Sequence, residues 1–218
     1  MMRIVASEVV YSERQWEILG EQRARAASIM RPLHDSHIHC TVYGSMARGD
    51  TSESSDIDVF IPTPPSPTMI EAILESSGIR YQERQIIQAT PSYAAKGYII
   101  IDDMHGYSFP LVDMRPNEAE FTRFAGQVSL TDLENKLRVP GINKDLRLIE
   151  PTNVGHNETA VQGIEGIVAR KLGVDIRIVN ERVRALKRRE KVGRTGVFIK
   201  RDLSPDETFS SVFQDLVR

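Results

Sequence analysis

Cysteine and long apolar runs are both scarce in this chain. Cys40 is the single cysteine among 218 residues, which excludes an internal disulfide and favours a reducing compartment. No apolar run approaches the roughly 18 residues of a membrane-spanning helix, and the run Ile4-Val5-Ala6 is broken by Glu8. With 40% hydrophobic and 27% charged residues, the composition is that of an ordinary soluble protein. We therefore expect a cytoplasmic protein with no signal peptide and no membrane partner.

The chain also lacks a large excess of charge of one sign, but its charges are unevenly distributed. The formal net charge is −2. Residues 165–201 carry twelve Lys or Arg and four Asp or Glu, a net charge of +8, so the remainder carries −10. A basic segment of this kind is typical of contact with polyanions. Residues 170–201 are therefore our candidate for binding RNA or another nucleic acid, although a solvated basic face would have the same pattern.

The most informative stretch is residues 42–60. An apolar strand runs into Gly44-Ser45, a polar turn follows, and a second strand contains Asp56 and Asp58. Residues two apart in a strand point to the same face, with Cα atoms about 6.5 Å apart. Two carboxylates in this arrangement repel each other unless a cation lies between them. A turn with merely solvated aspartates is the alternative interpretation.

This pairing of residue types favours phosphoryl or nucleotidyl transfer. Mg²⁺ prefers oxygen ligands and is commonly shared between one or two carboxylates and substrate phosphates. A glycine at a strand end, followed by serine, allows backbone N–H groups to approach a phosphate closely. The phosphate-binding turn and the metal carboxylates would then come from adjacent segments.

The stretch resembles the G-S-x-x-x-G…S-D-x-D signature of the DNA polymerase β-type nucleotidyltransferase superfamily. It closely resembles the catalytic segment of archaeal CCA-adding enzymes and of stand-alone minimal nucleotidyltransferases. The positions that carry it are Gly44-Ser45, Arg48-Gly49 and Ser55-Asp56-Ile57-Asp58. The resemblance is dense over residues 42–60 and continues thinly to about residue 116.

The resemblance implies transfer of an NMP from an NTP to a hydroxyl acceptor, with release of pyrophosphate. The nucleotide-binding residues that it implies are Gly44, Ser45, Arg48 and Ser55, of which Arg48 has a structural salt bridge as its alternative role. Two Mg²⁺ ions about 3.5–4 Å apart would be held by Asp56, Asp58 and a third carboxylate from a later strand.

Asp113 is our candidate for this third carboxylate and for the proton acceptor or activator of the incoming hydroxyl. In archaeal CCA-adding enzymes a hairpin ends in a Val-Asp-Val-type segment just before a proline, and residues 111–116 resemble that segment. The competing residues are Asp102 and Asp103 in the predicted turn of the same hairpin. Aspartates at hairpin ends are ordinarily turn residues.

Histidines form two further groups of candidate ligands. The first group is His34, Asp35, His37 and His39, whose spacing matches no compact zinc motif and favours a structural or solvated role. The second is His156 with Glu158, where contact with substrate and a turn role both remain open and the turn role is favoured.

The pattern of predicted elements indicates an α+β fold. Residues 1–116 are predicted to form the catalytic domain, a polymerase β-like mixed sheet with helices on one face. A helix over residues 12–30 with a Ser12/Gln15 capping box, an edge strand at 79–88, and a hairpin at 97–113 belong to it.

Residues 117–218 are predicted to form a mainly helical, basic domain. Its helices at 161–172 and 176–190, followed by Gly193-Arg194-Thr195-Gly196 and an apolar run, suggest a winged helix, with a plain helical subdomain as the alternative.

Three functions remain open on the sequence. The first is an RNA-directed nucleotidyltransferase that uses the basic segment. The second is a nucleotidyltransferase that acts on a protein or a small molecule. The third is a nucleic-acid-binding regulator that retains a nucleotide-sensing domain, although a sensor would not need two adjacent carboxylates.

Overall fold

The computed structural model describes residues 6–193 and 196–217. The strands are β1 Ala6–Val10, β2 Thr41–Tyr43, β3 Ile57–Phe60, β4 Glu83–Gln88, β5 Lys96–Asp102, β6 His105–Pro110, β7 Gln127–Val128, β8 Gly141–Ile142, β9 Arg147–Thr152, β10 Gly155–Ala160 and β11 Ile199–Asp202. The helices are α1 Glu13–Asp35, α2 Ser45–Arg48, α3 Pro67–Ser76, α4 Pro116–Ala119, α5 Phe121–Ala125, α6 Leu130–Glu134, α7 Glu165–Leu172, α8 Ile176–Val192 and α9 Phe209–Leu216. Within these ranges, no helix combines the length and the apolar character needed to cross a bilayer.

A large mixed sheet positions the signature residues. Its strand order is β11-β4-β5-β6-β3-β2-β7. Strands β3 and β6 are parallel, whereas β2 and β3, and β5 and β6, are antiparallel. The mixed sheet and the hairpin of β5 and β6 confirm the predicted α+β class.

One face of this sheet is apolar and covered by helices. Val59, Ile99 and Phe109 are fully buried on it, because every second residue of a strand points to the same side. They share one hydrophobic cluster with side chains of α1, α3 and α9. Each large apolar side chain buried in this way contributes about 1.5–3 kcal/mol. Helices α1, α3 and α9 thus cover this face of the sheet.

Helix α1 begins as predicted and ends later than predicted. The capping box of Ser12 and Gln15 is present. The helix continues through Pro32 to Asp35, beyond its predicted end at residue 30. A proline in the last turn removes only one helical hydrogen bond, and the carbonyl of Pro32 still accepts from the N–H of Ser36 at 3.2 Å.

A second sheet has the strand order β1-β10-β9-β8. Its strands β8 and β9 contribute Ile142 and Leu148 to a second hydrophobic cluster. This cluster draws its side chains mainly from α5, α7 and α8. The two parts of the chain exchange elements across the boundary expected at residue 116. Strand β1 pairs with β10 in the second sheet, while β11 pairs with β4 and α9 packs into the first cluster.

Strand β11 bears on two predictions, that β4 is an edge strand and that the segment after α8 forms a wing. It pairs Ile199 with Gln88 and Asp202 with Gln85, so β4 is covered and is not the edge strand that its polar sequence suggested. Residues 199–202 are therefore a strand of the large sheet, and the winged-helix interpretation is not confirmed. Arg194 and Thr195, in the turn assigned to the wing, lie outside the described residues.

Candidate active site

The paired aspartates lie where strand β3 begins. Asp56 precedes the strand and Asp58 is its second residue, so both carboxylates belong to the face opposite the helices. Asp56 is exposed, whereas Asp58 is half-buried. The charge of Asp56 is one of the influences that raise the pKa of Asp58. The structure thus brings the two carboxylates together.

Two hydroxyl groups hold the carboxylate of Asp58. The hydroxyl of Ser108, on the neighbouring strand β6, lies 2.8 Å from Oδ1 and 3.1 Å from Oδ2. The Tyr43 hydroxyl donates to Oδ2. Burial, the largest influence, raises the pKa of Asp58, while these hydrogen bonds and the charge of Lys96 lower it. The carboxylate is therefore fixed in orientation by groups that favour its ionised form.

Lys96 and Tyr98, on strand β5, extend the same polar face. Tyr98 is paired with Ser108 in the sheet, and its pKa is raised to about 12, chiefly by burial and also by the charge of Asp58. The Lys96 ammonium lies 4.9 Å from the centre of the Phe60 ring. Burial lowers the pKa of Lys96, and the carboxylate of Asp58 opposes that shift. A cation and a carboxylate thus share this face.

The Gly44-Ser45 turn follows β2 at the same edge of the sheet. Gly44 has a φ of 77°, a left-handed value that favours glycine. Its N–H donates to the carbonyl of Gly126 at 2.9 Å, so this N–H is already used within the protein. The Ser45 hydroxyl is half-buried and makes no hydrogen bond with any of the residues that the structure describes. Ser45 is therefore the better placed of the two to contact a phosphate.

Arg48 and Ser55 stabilise the turn and the loop that follows it. Arg48 is buried, forms an ion pair with Asp50 at 2.9 Å and donates to the carbonyl of Ala125 at 2.7 Å. The Ser55 hydroxyl accepts from the N–H of Ser52 at 2.9 Å. The geometry therefore supports the structural alternative for Arg48 rather than contact with a phosphate.

The structure does not bring Asp113 to the aspartate pair. The parallel register pairs Asp58 with Gly106, whereas Asp113 is exposed and lies three residues beyond the end of β6. It lines a surface cavity between residues 62–67 and α9. The residue of β6 that contacts Asp58 is Ser108, a position that the hairpin sequence did not reveal.

Two of the other candidate ligands, Asp102 and His156, have partners within the protein. Asp102 accepts from the N–H of Met104 at 2.9 Å and lies 2.6 Å from Nδ1 of His105, which is a turn role. His156 is buried, with Nδ1 2.7 Å from the Tyr11 hydroxyl and Nε2 3.1 Å from Glu158. These contacts support structural roles for both side chains.

The structure groups two of the three predicted metal-binding carboxylates, Asp56 and Asp58. Across residues 6–193 and 196–217, no three His, Cys, Asp or Glu side chains are grouped so that they could hold a metal ion. This applies to the group around His34 and to the predicted trio that includes Asp113. Asp56 and Asp58 match the one or two carboxylates with which proteins hold Mg²⁺ alongside substrate phosphates.

Comparison with known families identifies the region that contains this site. Residues 25–107 match the family model of the nucleotidyltransferase domain. This segment, well under half of the 218 residues, is therefore similar to nucleotidyltransferase domains. The comparison with curated proteins gives no match. The matched segment contains the Gly44-Ser45 turn and the aspartate pair, whereas Ser108 and Asp113 lie beyond it.

Four side chains of this site were not found from the sequence. They are Tyr43, Lys96, Tyr98 and Ser108. The available signal was a polar residue at alternate positions of an otherwise apolar strand, as in Lys96-Gly97-Tyr98. Such a signal does not identify a neighbour, because pairing between strands far apart in sequence depends on register.

Proposed function

We propose that the protein transfers a nucleoside monophosphate from an NTP to a hydroxyl acceptor. The acceptor oxygen would form a bond to the α-phosphorus, the bond from that phosphorus to the β-phosphate oxygen would break, and pyrophosphate would leave with the electron pair. The hydroxyl proton would pass to solvent. The observation that carries the proposal is the meeting of Asp56, Asp58 and the Gly44-Ser45 turn at one edge of the sheet within a nucleotidyltransferase domain.

Each side chain has a defined part in this proposal. Asp56 and Asp58 would hold one Mg²⁺, which when bound supplies charge neutralisation at the phosphates. Ser108 and Tyr43 orient Asp58 through their hydrogen bonds. The Ser45 hydroxyl would contact the triphosphate. Positioning of this kind, with fixed charges, is the main contribution of a protein to phosphoryl and nucleotidyl transfer.

Two matched variants test the aspartate pair. Purified protein is incubated with Mg²⁺ and NTP labelled at either the α- or the γ-phosphate, with and without total RNA, and resolved on a denaturing gel. Transfer of the α-label but not the γ-label is the expected result. We expect Asp56→Asn to lower transfer by at least about 100-fold, while Asp113→Asn, a carboxylate outside the pair, retains it.

The outcomes separate the candidates for the acceptor. Label on RNA would identify an RNA nucleotidyltransferase and its preferred base, and label on protein would identify a protein-modifying enzyme. Equal activity of wild type and Asp56→Asn would overturn the assignment of the pair. Loss of activity in Asp113→Asn, with a circular dichroism spectrum like that of wild type, would return Asp113 to the site.

A nucleotide-sensing function is the second candidate. The observation that favours it is the absence of a third nearby carboxylate among the described residues, together with the cationic Lys96 beside Asp58. NTP binding measured by calorimetry, without transfer of the α-label to RNA, protein or a small-molecule hydroxyl, would support this function over catalysis.

A further inference from the structure

A cavity lies between the polar face of the large sheet and helix α8. Its volume is about 200 Å³, and its walls include Lys96, Tyr98, Phe121 and Arg182. Tyr98 pairs in the sheet with Ser108, whose hydroxyl lies 2.8 Å from the carboxylate of Asp58. The cavity therefore adjoins the candidate active site and is large enough to admit a small part of a ligand.

Arg182 enters this cavity without an acidic partner at contact distance. Its guanidinium carbon lies 4.6 Å from the centre of the Phe121 ring, and its Nε atom is buried with no hydrogen-bond partner. Burial lowers the pKa of Arg182, and the neighbouring charge of Arg189 lowers it further. A partly buried guanidinium near a second guanidinium is stabilised by an anion that binds between them.

A larger groove of about 740 Å³ continues from the cavity along α8, since Tyr93, Glu118 and Arg182 line both. The arginines along it are Arg115, Arg177, Arg182, Arg188 and Arg189. Of these, only Arg177 forms an ion pair with another described residue, at 2.6 Å from Asp175.

The acidic side chains of the groove are fewer than its arginines, although the charge of Glu181 raises the pKa of Arg182. Glu118 accepts from the backbone N–H groups of Ala94 and Arg115 at 2.8 and 3.0 Å. Glu181 is the other acidic residue of the groove, and it makes no ion pair within the described ranges. The groove therefore has an excess of unpaired positive charge.

The spacing of the arginines along α8 places two of them in a row on one helix face. Arg182, Ala185 and Arg189 follow the three- and four-residue steps of one helix face. The small Ala185 leaves room between the two arginines. Their Cα atoms are separated by about 10 Å along the helix. Together with Tyr93, Tyr98 and Phe121, the groove offers cations in a row and aromatic rings at its inner end.

We propose that this groove binds the backbone of a single-stranded nucleic acid, whose hydroxyl end enters the cavity beside Asp58. A row of arginines with aromatic side chains is the arrangement that holds single strands through phosphate contacts and base stacking. The inner cavity, of about 200 Å³, admits only the terminal part of a strand and excludes a duplex. The entry of the hydroxyl end rests on the proposed nucleotidyl transfer, whereas strand binding in the groove does not.

Binding of a fluorescein-labelled 20-nucleotide RNA, measured by anisotropy in EDTA without NTP, tests the groove independently of catalysis. The groove variant is Arg188→Gln with Arg189→Gln, both exposed in the free protein. The control is Arg184→Gln with Lys187→Gln, which removes the same charge from the same helix at positions that do not line the groove. The same measurements are repeated with a DNA strand and with a blunt duplex.

We expect the groove variant to weaken RNA binding about tenfold or more and to lower the slope of log K against log salt concentration by about 1.4, the value for two lost phosphate contacts. The control should change the affinity less than about threefold. Arg182→Gln should weaken binding in the same direction. Equal losses in the two double variants, tighter binding of the duplex, or no binding of either single strand would overturn the proposal.

The transfer assay separates this proposal from the proposed function. Strand binding that depends on the groove, without transfer of the α-label, would contradict catalysis and leave the groove assignment intact. Transfer to a small-molecule hydroxyl, without strand binding, would contradict the groove and leave nucleotidyl transfer intact.

Discussion

The two faces of the large sheet are built from alternate residues of the same strands, yet they differ in almost every property. Ser108 and Phe109 are neighbours in β6. Ser108 contacts Asp58 on the polar face, whereas Phe109 packs 5.1 Å from the ring of Phe209 on the helical face. Successive side chains of a strand point to opposite faces of the sheet. Neighbouring residues can therefore belong to the hydrophobic core and to a charged site.

The largest expected effect on stability is on the helical face. Phe109→Ala should lower the free energy of unfolding by about 3–5 kcal/mol, because Phe109 is fully buried and leaves a cavity. Urea unfolding followed by circular dichroism measures this change. NTP binding measured well below the unfolding midpoint should persist in this variant.

Tyr98→Phe is the matched change on the polar face. It keeps the ring and removes a hydroxyl that has no hydrogen-bond partner among the described residues, so the free energy of unfolding should change by less than about 1 kcal/mol. Equal destabilisation by Phe109→Ala and Tyr98→Phe would contradict the view that the helical face contributes more to folding stability than the polar face.

A substitution at Ser108 should affect stability less than Phe109→Ala and should change the number of metal ions bound at the site. Ser108→Asp places a carboxylate beside Asp58, in contact with the aspartate pair. With an NTP bound, we expect wild type to take up one Mn²⁺ and the variant to take up two, because an added carboxylate completes a two-ion ligand set. Electron paramagnetic resonance of free Mn²⁺ measures the stoichiometry.

The matched control for Ser108→Asp is Ser108→Asn, which has a similar size and no charge. It should bind the same number of ions as wild type. Two ions in wild type itself would contradict our assignment of a single shared cation.

The smallest effect concerns the thiol of Cys40, in the core of the helical face. Cys40 is 5% exposed, and burial raises the pKa of its thiol to about 12. The thiolate is the reactive form, so native protein should not react with iodoacetamide at pH 8 and unfolded protein should react readily. A raised pKa stabilises the fold below the unfolded value near 9, and this stability is lost as the pH rises towards 12. Rapid labelling of folded protein at pH 8 would contradict a closed core.

Local signals in the sequence were sufficient for several elements. The capping box of Ser12 and Gln15 is formed by residues three apart and could be identified directly. The pairing of Asp56 with Asp58 follows from the two-residue repeat within one strand. These features depend on neighbours along the chain, and the structure bears out their geometry.

Long-range register could not be read from the sequence. Asp113 was chosen because of the segment around it, but the parallel alignment of β3 with β6 puts Ser108 beside Asp58 instead. Residues 199–202 were assigned to a wing because nothing local shows that β4 is their partner. The partner of a strand depends on which distant segments pack together, and short polar strands contain little information about this.

The exchange of β11 and α9 has a consequence for synthesis of the chain on the ribosome. The core strands of the large sheet are translated from residue 41 onwards, but Phe209 and Val212, which complete their hydrophobic cluster, are added more than a hundred residues after β3. Until these residues emerge from the exit tunnel, the apolar side chains of the sheet lack their final cover. We therefore expect the nascent sheet to expose apolar surface that chaperones recognise until residues 209–212 have emerged.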